Sequence, residues 1–266
     1  MSKSPVAARE AQMAAWAQRL AGAARNARAV SQHDPEDLIT LAEAYEIQRL
    51  VVAERVAAGA SRLGVKMGFT SRAKMLQMGL SDLIWGRLTS DMVVEEGATI
   101  DLTRYVHPRV EPELCFLLKK PLEGSVTALQ ALSAVEAIAP ALEIIDSRYE
   151  NFKFSLPDVV ADNASSSGVV TGPWQRPHVD FSNLGLVLTV DGFAREVGST
   201  AAILGHPLRA LVAAARLSGA AGERLEAGAI VMAGGATAAV ALAPGCAIRC
   251  EMQRLGSVSF NCGGLK

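Results

Sequence analysis

Two glutamates flank a proline in the run Val110-Glu111-Pro112-Glu113-Leu114-Cys115-Phe116. In an extended strand, side chains alternate between faces. Glu111 and Glu113 would then leave the same face with roughly 7 Å between their Cα atoms. Like charges at that distance repel unless something positive lies between them. A third acid, Glu143, is embedded in Ala141-Leu142-Glu143-Ile144-Ile145, where an unpaired carboxylate is costly to bury. A hard divalent cation taking all three carboxylates accounts for all three positions, and an all-oxygen donor set favours magnesium or manganese over zinc. Spacing alone leaves a second reading open. Glu111 and Glu113 would form a solvated face, and Glu143 would pair with Arg109 or Arg148. Pro112 has no N–H to give a neighbouring strand, which points to an edge strand or a bulge.

Other residues carry chemistry with less pattern behind them. Lys66 sits in the glycine-bounded apolar run Gly64-Val65-Lys66-Met67-Gly68-Phe69. It is either a substrate-facing or catalytic lysine, or a surface residue snorkelling to water. Asp146-Ser147-Arg148 and Asp162-Asn163-Ala164-Ser165-Ser166-Ser167-Gly168 are polar clusters, to which turn chemistry gives an equally good account. Gly234-Gly235-Ala236-Thr237 follows a strand-like run and offers backbone N–H groups to an anion, but it is no nucleotide-binding fingerprint. The four histidines are isolated from one another, and no Ser-His-Asp grouping is visible.

The elements that must position these groups fall in two blocks. Residues 6–28 are rich in Ala, Arg, Gln and Glu and read as a helix. A second helix starts at Asp34-Pro35-Glu36-Asp37, or at Thr40 as an N-cap with Glu43 three residues on, and ends near Gly59. Leu41, Ala44, Tyr45, Gln48, Val51, Val52 and Val56 recur along it at helical spacing. Strand-like runs follow: 64–69, 106–118, 185–190, 229–232, 238–242, 247–252 and 256–261. Helical interludes are expected at 129–137 and 207–217. The fold class is α+β, with an N-terminal helical region over 1–60 and a β-rich catalytic domain over 61–266.

Composition narrows the function. Net charge is −1, with 26 basic and 27 acidic residues and no basic block, which disfavours nucleic acid and anionic lipid as partners. The longest apolar run, 137–145, is broken by Pro140 and Glu143 and is too short to span a bilayer. The N-terminus lacks the apolar stretch of a signal peptide, so a cytoplasmic location is expected. Cys115, Cys246, Cys250 and Cys262 show no CxxC spacing and are expected as free thiols, although Cys246 and Cys250 have a spacing that lets them face each other.

Three segments taken in order carry a resemblance: Lys66-Met67-Gly68-Phe69-Thr70-Ser71, then Pro108-Arg109-Val110-Glu111-Pro112-Glu113, then Ala141-Leu142-Glu143-Ile144-Ile145-Asp146-Ser147-Arg148. Together they resemble the fumarylacetoacetate hydrolase superfamily, in its branch of 2-oxo acid hydratases and decarboxylases, over nearly the whole chain. Two stretches lean toward the decarboxylases: residues 148–158, where hydratases typically place a tryptophan at the position of Phe152, and residues 234–239, where hydratases usually carry a Gly-Ser-containing turn. The resemblance implies a mixed β-roll core with the helical region packed beside it. It implies Mg2+ (or Mn2+) on Glu111, Glu113 and Glu143, catalytic roles for Lys66 and Asp82, and substrate contacts for Ser165 and Thr237. The implied reaction converts the small 2-oxo dicarboxylic acid 2-oxohex-3-enedioate to 2-hydroxypenta-2,4-dienoate and carbon dioxide, with hydration of that dienoate as the alternative. Implied partners are further copies of the chain and the hydratase of the same pathway, with neither nucleic acid nor membrane involved.

Overall fold

A computed structural model describes residues 5–33, 39–71, 75 and 82–264. The chain opens with two helices, α1 (Pro5–Asn26) and α2 (Leu41–Ala57). Thr40 caps α2: its hydroxyl accepts from the Glu43 N–H at 3.2 Å, and the Glu43 carboxylate accepts from the Thr40 N–H at 2.7 Å. The reciprocal box read from Thr40 and Glu43 is therefore present. The alternative start at Asp34–Asp37 lies outside the described residues. Of the helical stripe, Ala44, Gln48, Val51 and Val52 are buried, while Leu41 and Val56 at the two ends stay exposed.

Two sheets follow. The larger has strand order β2-β1-β9-β4-β5-β6, with β10 also paired to β4. Its strands are β1 (Arg62–Gly68), β2 (Ile84–Thr89), β4 (Pro108–Leu118), β5 (Val135–Asp146), β6 (Ser166–Thr171), β9 (Ile230–Met232) and β10 (Val240–Ala241). The smaller has order β3-β12-β11-β7-β8, built from β3 (Thr99–Asp101), β7 (Gly185–Val190), β8 (Phe193–Ser199), β11 (Ala247–Met252) and β12 (Gly256–Gly263). Alternation sets what each face does. Val110, Leu114 and Phe116 of β4 enter the main core with Leu186 and Leu188 of β7 and Ile248 of β11. The intervening residues of β4 point to the other face. Three short helices, α3 (Ala128–Ser133), α4 (Leu156–Ala161) and α5 (Leu208–Ala220), complete the fold.

The N-terminal helices form a second cluster in which Leu20, Ala44, Ile47 and Val51 pack on Ile84, Tyr149, Val159 and Val160. A buried amide pins this junction. Gln48 donates to the carbonyls of Trp85 (3.1 Å) and Val160 (2.8 Å) and accepts from Arg87 at 2.5 Å. The arrangement is the α+β architecture expected, helices packed on a mixed β core.

Three local expectations are corrected. The helix expected over 129–137 ends at Ser133, and the apolar residues beyond it form the long central strand β5. A short apolar run has no decisive period, so helix and buried strand look alike there. Pro112 is neither at an edge nor in a bulge: β4 pairs on both sides. The Pro112 carbonyl accepts from the Ala236 N–H, so its nitrogen faces the gap between β9 and β10, where the 233–239 turn interrupts the ladder and no N–H is needed. Cys246 lies beside Cys262, whose N–H donates to its carbonyl, and not against Cys250. All four cysteines are buried and free.

Candidate metal centre

β4 and β5 run antiparallel, with Glu111 directly opposite Glu143 and Glu113 opposite Ala141. Directly opposed residues share a face, and Glu111 and Glu113 share one by alternation. One carboxylate oxygen from each of the three acids lies within 4.8 Å of the others. Glu113 and Glu143 are fully buried.

Lys66 reaches the same place from β1. Its Nζ stands 3.0 Å from Glu143 Oε2 and donates to the Ala164 carbonyl at 3.0 Å. It is 4% exposed, which excludes the snorkelling reading. The alternative partners of Glu143 are engaged elsewhere: Arg148 Nε donates to Asp162 at 2.5 Å, and Arg109 lies over the Phe152 ring.

A left-handed turn supplies the Ala164 carbonyl. Asn163, Ala164 and Ser165 have φ of 52°, 51° and 60°, a region that non-glycine residues seldom enter. The Asn163 side chain holds the turn down by accepting from Arg87 N–H and donating to Arg87 carbonyl, both at 2.8 Å. Gly86, register partner of Lys66, permits the approach, because a Cβ there would lie 2.5 Å from the Asn163 carbonyl oxygen. Ser165 is buried beside this turn, and its Oγ has no hydrogen-bond partner among the described residues.

The Gly234-Gly235 turn closes the site from the far side of β4. The Gly234 N–H donates to Glu113 Oε2 at 2.7 Å, so the anion it meets is a carboxylate of the cluster. A Cβ on Gly235 would stand 2.9 Å from Glu111 Oε2. Thr237 is further along, its hydroxyl donating to the Ala238 carbonyl at 3.0 Å. Asp82 is placed differently. It accepts both Arg216 guanidinium nitrogens at 2.7 and 2.9 Å and is about half exposed, and among the described residues none of its bonds reaches the carboxylate cluster.

The electrostatics fit a divalent cation. Three carboxylates converge where one buried ammonium, Lys66, pairs with Glu143. Glu113 Oε1 and Glu143 Oε1 have no hydrogen-bond partner among the described residues, which is unusual for buried carboxylate oxygens. Burial, then the nearby Glu143 charge, pushes Glu113 well above the usual carboxylate range. Burial likewise raises Glu143, against the opposing pull of Lys66. Burial alone would lower the Lys66 pKa, but Glu143, Glu113 and Glu111 outweigh it and raise it, so the ammonium stays charged. A hard cation would engage the orphaned oxygens of Glu113 and Glu143.

Helices on one flank, a mixed β core and a carboxylate cluster on a central strand pair define the class. Residues 72–261 match the profile of the fumarylacetoacetate (FAA) hydrolase C-terminal family, and the chain belongs to that family. Its similarity to the 4-oxalocrotonate decarboxylase of a Pseudomonas species is 65% identity over 248 residues, covering 93% of this chain and 97% of that one. The 2-oxo-hept-4-ene-1,7-dioate hydratase of Escherichia coli is 33% identical, over 87% of this chain and 90% of that one. Among solved structures, 4-oxalocrotonate decarboxylase from Pseudomonas putida G7, complexed with magnesium and adipate, superposes with a TM-score of 0.92 at 38% identity, covering 95% of this chain and 98% of that one.

The Asn163 clamp and the Ala164 carbonyl had no signal in the sequence, since nothing in Asn-Ala-Ser marks three successive left-handed residues. The Gly234 contact did have one, in the paired glycines after a strand.

Proposed function

We propose that this chain catalyses the divalent-metal-dependent decarboxylation of 4-oxalocrotonate (2-oxohex-3-enedioate) to 2-hydroxypenta-2,4-dienoate and carbon dioxide. The observation that carries the reading is the buried Glu111–Glu113–Glu143 cluster with Lys66 against it, in a chain 65% identical to a 4-oxalocrotonate decarboxylase. The lower identity to the hydratase, 33%, favours decarboxylation over hydration.

Glu111, Glu113 and Glu143 would hold Mg2+ or Mn2+. When bound, the cation supplies Lewis acidity toward the 2-oxo acid end of the substrate. The residues around it do the rest. Gly234 fixes Glu113 through its N–H, and Lys66, oriented by the Ala164 carbonyl, offers a charged N–H donor to the oxygen on which negative charge develops as the C5–C6 bond breaks. The unengaged Ser165 hydroxyl is a further donor beside Lys66. Sheet and turn enclose the site, so each of these bonds acts in a medium of low dielectric. Thr237 and Asp82 are retained as proposed substrate-facing and catalytic residues. Asp82 would have to leave its Arg216 pair to act.

The wider organisation is also proposed. Residues 1–60 form a helical region beside a catalytic domain over 61–266, in a cytoplasmic homo-oligomer that associates with the hydratase consuming its dienol product. No helix among the described residues is long and apolar enough to cross a membrane.

Product analysis tests the reading. Purified protein with 2-oxohex-3-enedioate and magnesium should release carbon dioxide, and a chelator should stop it. Consumption of 2-hydroxypenta-2,4-dienoate without carbon dioxide release would move the assignment to the hydratase.

A further inference from the structure

On β4, Arg109 precedes Glu111 by two residues, so it leaves the sheet on the same face as Glu111 and Glu113. Its Cα lies roughly 7 Å from that of Glu111, at the end of the cluster away from the Gly234 contact. The guanidinium is centred 4.0 Å above the Phe152 ring. Among the described residues it has no ion pair and no side-chain hydrogen bond, so its five N–H donors are unspent. Such a cation beside a cluster of acids, yet paired with none, is available to an anion from outside.

The platform under it is built. Asn151 and Phe152 both have left-handed backbones, with φ of 59° and 55°. The turn is tied to the segment after α1. Gln32 Nε2 donates to the carbonyls of Glu150 (3.1 Å) and Lys153 (2.6 Å), and the Glu150 N–H donates to the Val30 carbonyl at 2.9 Å. His107 and Phe154 pack edge-on or tilted against the Phe152 ring at 6.2 and 5.5 Å. Stacking on an aromatic face holds the guanidinium plane while leaving its edge for a carboxylate.

We propose that Arg109 binds the second carboxylate of the substrate and so sets the preference for dicarboxylic over monocarboxylic 2-oxo acids. The inference rests on the proposed 2-oxo acid site at Glu111, Glu113 and Glu143. In 2-oxohex-3-enedioate, the oxo carbon and the far carboxylate carbon are four carbon–carbon bonds apart, roughly 5 Å. That span is of the same order as the roughly 7 Å between the Cα atoms of Glu111 and Arg109. A guanidinium fork takes a carboxylate through two parallel N–H···O bonds, which an ammonium does not reproduce.

The test uses two unreactive probes, 2-oxohexanedioate and 2-oxohexanoate, each titrated calorimetrically into the full chain with magnesium present. Hydrogen bonds to a charged group set the expected scale: wild type binds the dicarboxylate about tenfold or more tighter than the monocarboxylate. In Arg109→Gln that preference falls to within about twofold, while the affinity for 2-oxohexanoate holds. Arg109→Lys keeps the charge without the fork and retains an intermediate preference. It carries the test if the glutamine variant does not fold. Equal weakening of both probes in Arg109→Gln, an unchanged preference in Arg109→Lys, or no preference in wild type would overturn the assignment to Arg109 while leaving the 2-oxo acid site standing. Binding of neither probe by wild type would overturn that site, and this proposal with it.

Discussion

Glu111 and Glu143 face each other across the β4–β5 ladder, register partners separated by 32 positions in sequence. Directly opposed carboxylates destabilise a strand pair, and here the pair lies in the interior of a seven-stranded sheet. Lys66 compensates one charge. Carboxylates gathered this closely favour a bound cation over the metal-free state. Magnesium should therefore raise the melting temperature of the chelator-treated protein. At a concentration 100 times Kd the gain is about 2.7 kcal/mol. A thermal scan with and without magnesium reads it directly, and an unchanged transition would count against the site.

The two glycines of the closing turn should respond differently to a methyl group. In Gly235→Ala the Cβ meets the Glu111 carboxylate, the end of a flexible side chain. The fold should hold while magnesium affinity falls, by about tenfold on the scale of perturbed outer contacts of metal sites. In Gly234→Ala the Cβ would stand 2.2 Å from Thr70 Oγ1 at a φ of +106°, so stability itself should drop. Comparing the metal-free melting temperatures of the two variants separates these effects.

Removing the buried ammonium takes from Glu143 its paired cation. Lys66→Met should destabilise the metal-free protein by about 3–5 kcal/mol, the usual penalty for breaking a buried ion pair, with carbon dioxide release lost. Denaturant titration and the activity assay check the two halves. A variant with wild-type activity would remove Lys66 from the chemistry.

The capping box of α2 predicts a pH dependence. Hydrogen bonds from Arg9, then Thr40, hold the Glu43 carboxylate down at about 2, below the ordinary 4.5. A depressed folded-state pKa contributes stability above about 4.5 that is lost as pH falls toward 2. Gln at this position still accepts from the Thr40 N–H, as Gln130 does from Thr127, so Glu43→Gln removes only the charge paired with Arg9 and should cost up to about 1 kcal/mol at pH 7. The difference from wild type should close as pH drops through that window. Denaturation curves at pH 7, 4 and 2.5 test the sign.

Much of this site was legible because its signals are local. The period of two put Glu111 and Glu113 on one face, and the apolar setting of Glu143 demanded a partner. Thr40 and Glu43 announced the start of α2. What was not legible depended on neighbours distant in sequence. β5 was hidden because an apolar run without alternation does not distinguish strand from helix. Pro112 sits in a central strand only because a turn more than 120 residues later interrupts the ladder beside it. The left-handed Asn163–Ser165 turn is imposed by Arg87 backbone groups and the space above Gly86, none of which local propensity encodes. The pairing of Asp82 with Arg216 was equally invisible.

The central claim is that Glu111, Glu113 and Glu143 together hold one divalent cation. Calorimetric titration of magnesium into chelator-treated wild type and Glu143→Gln tests it most directly, because it reads the site without requiring turnover. Wild type should show a single site that is lost in Glu143→Gln, together with metal-dependent carbon dioxide release. Wild-type magnesium affinity in the variant would contradict it.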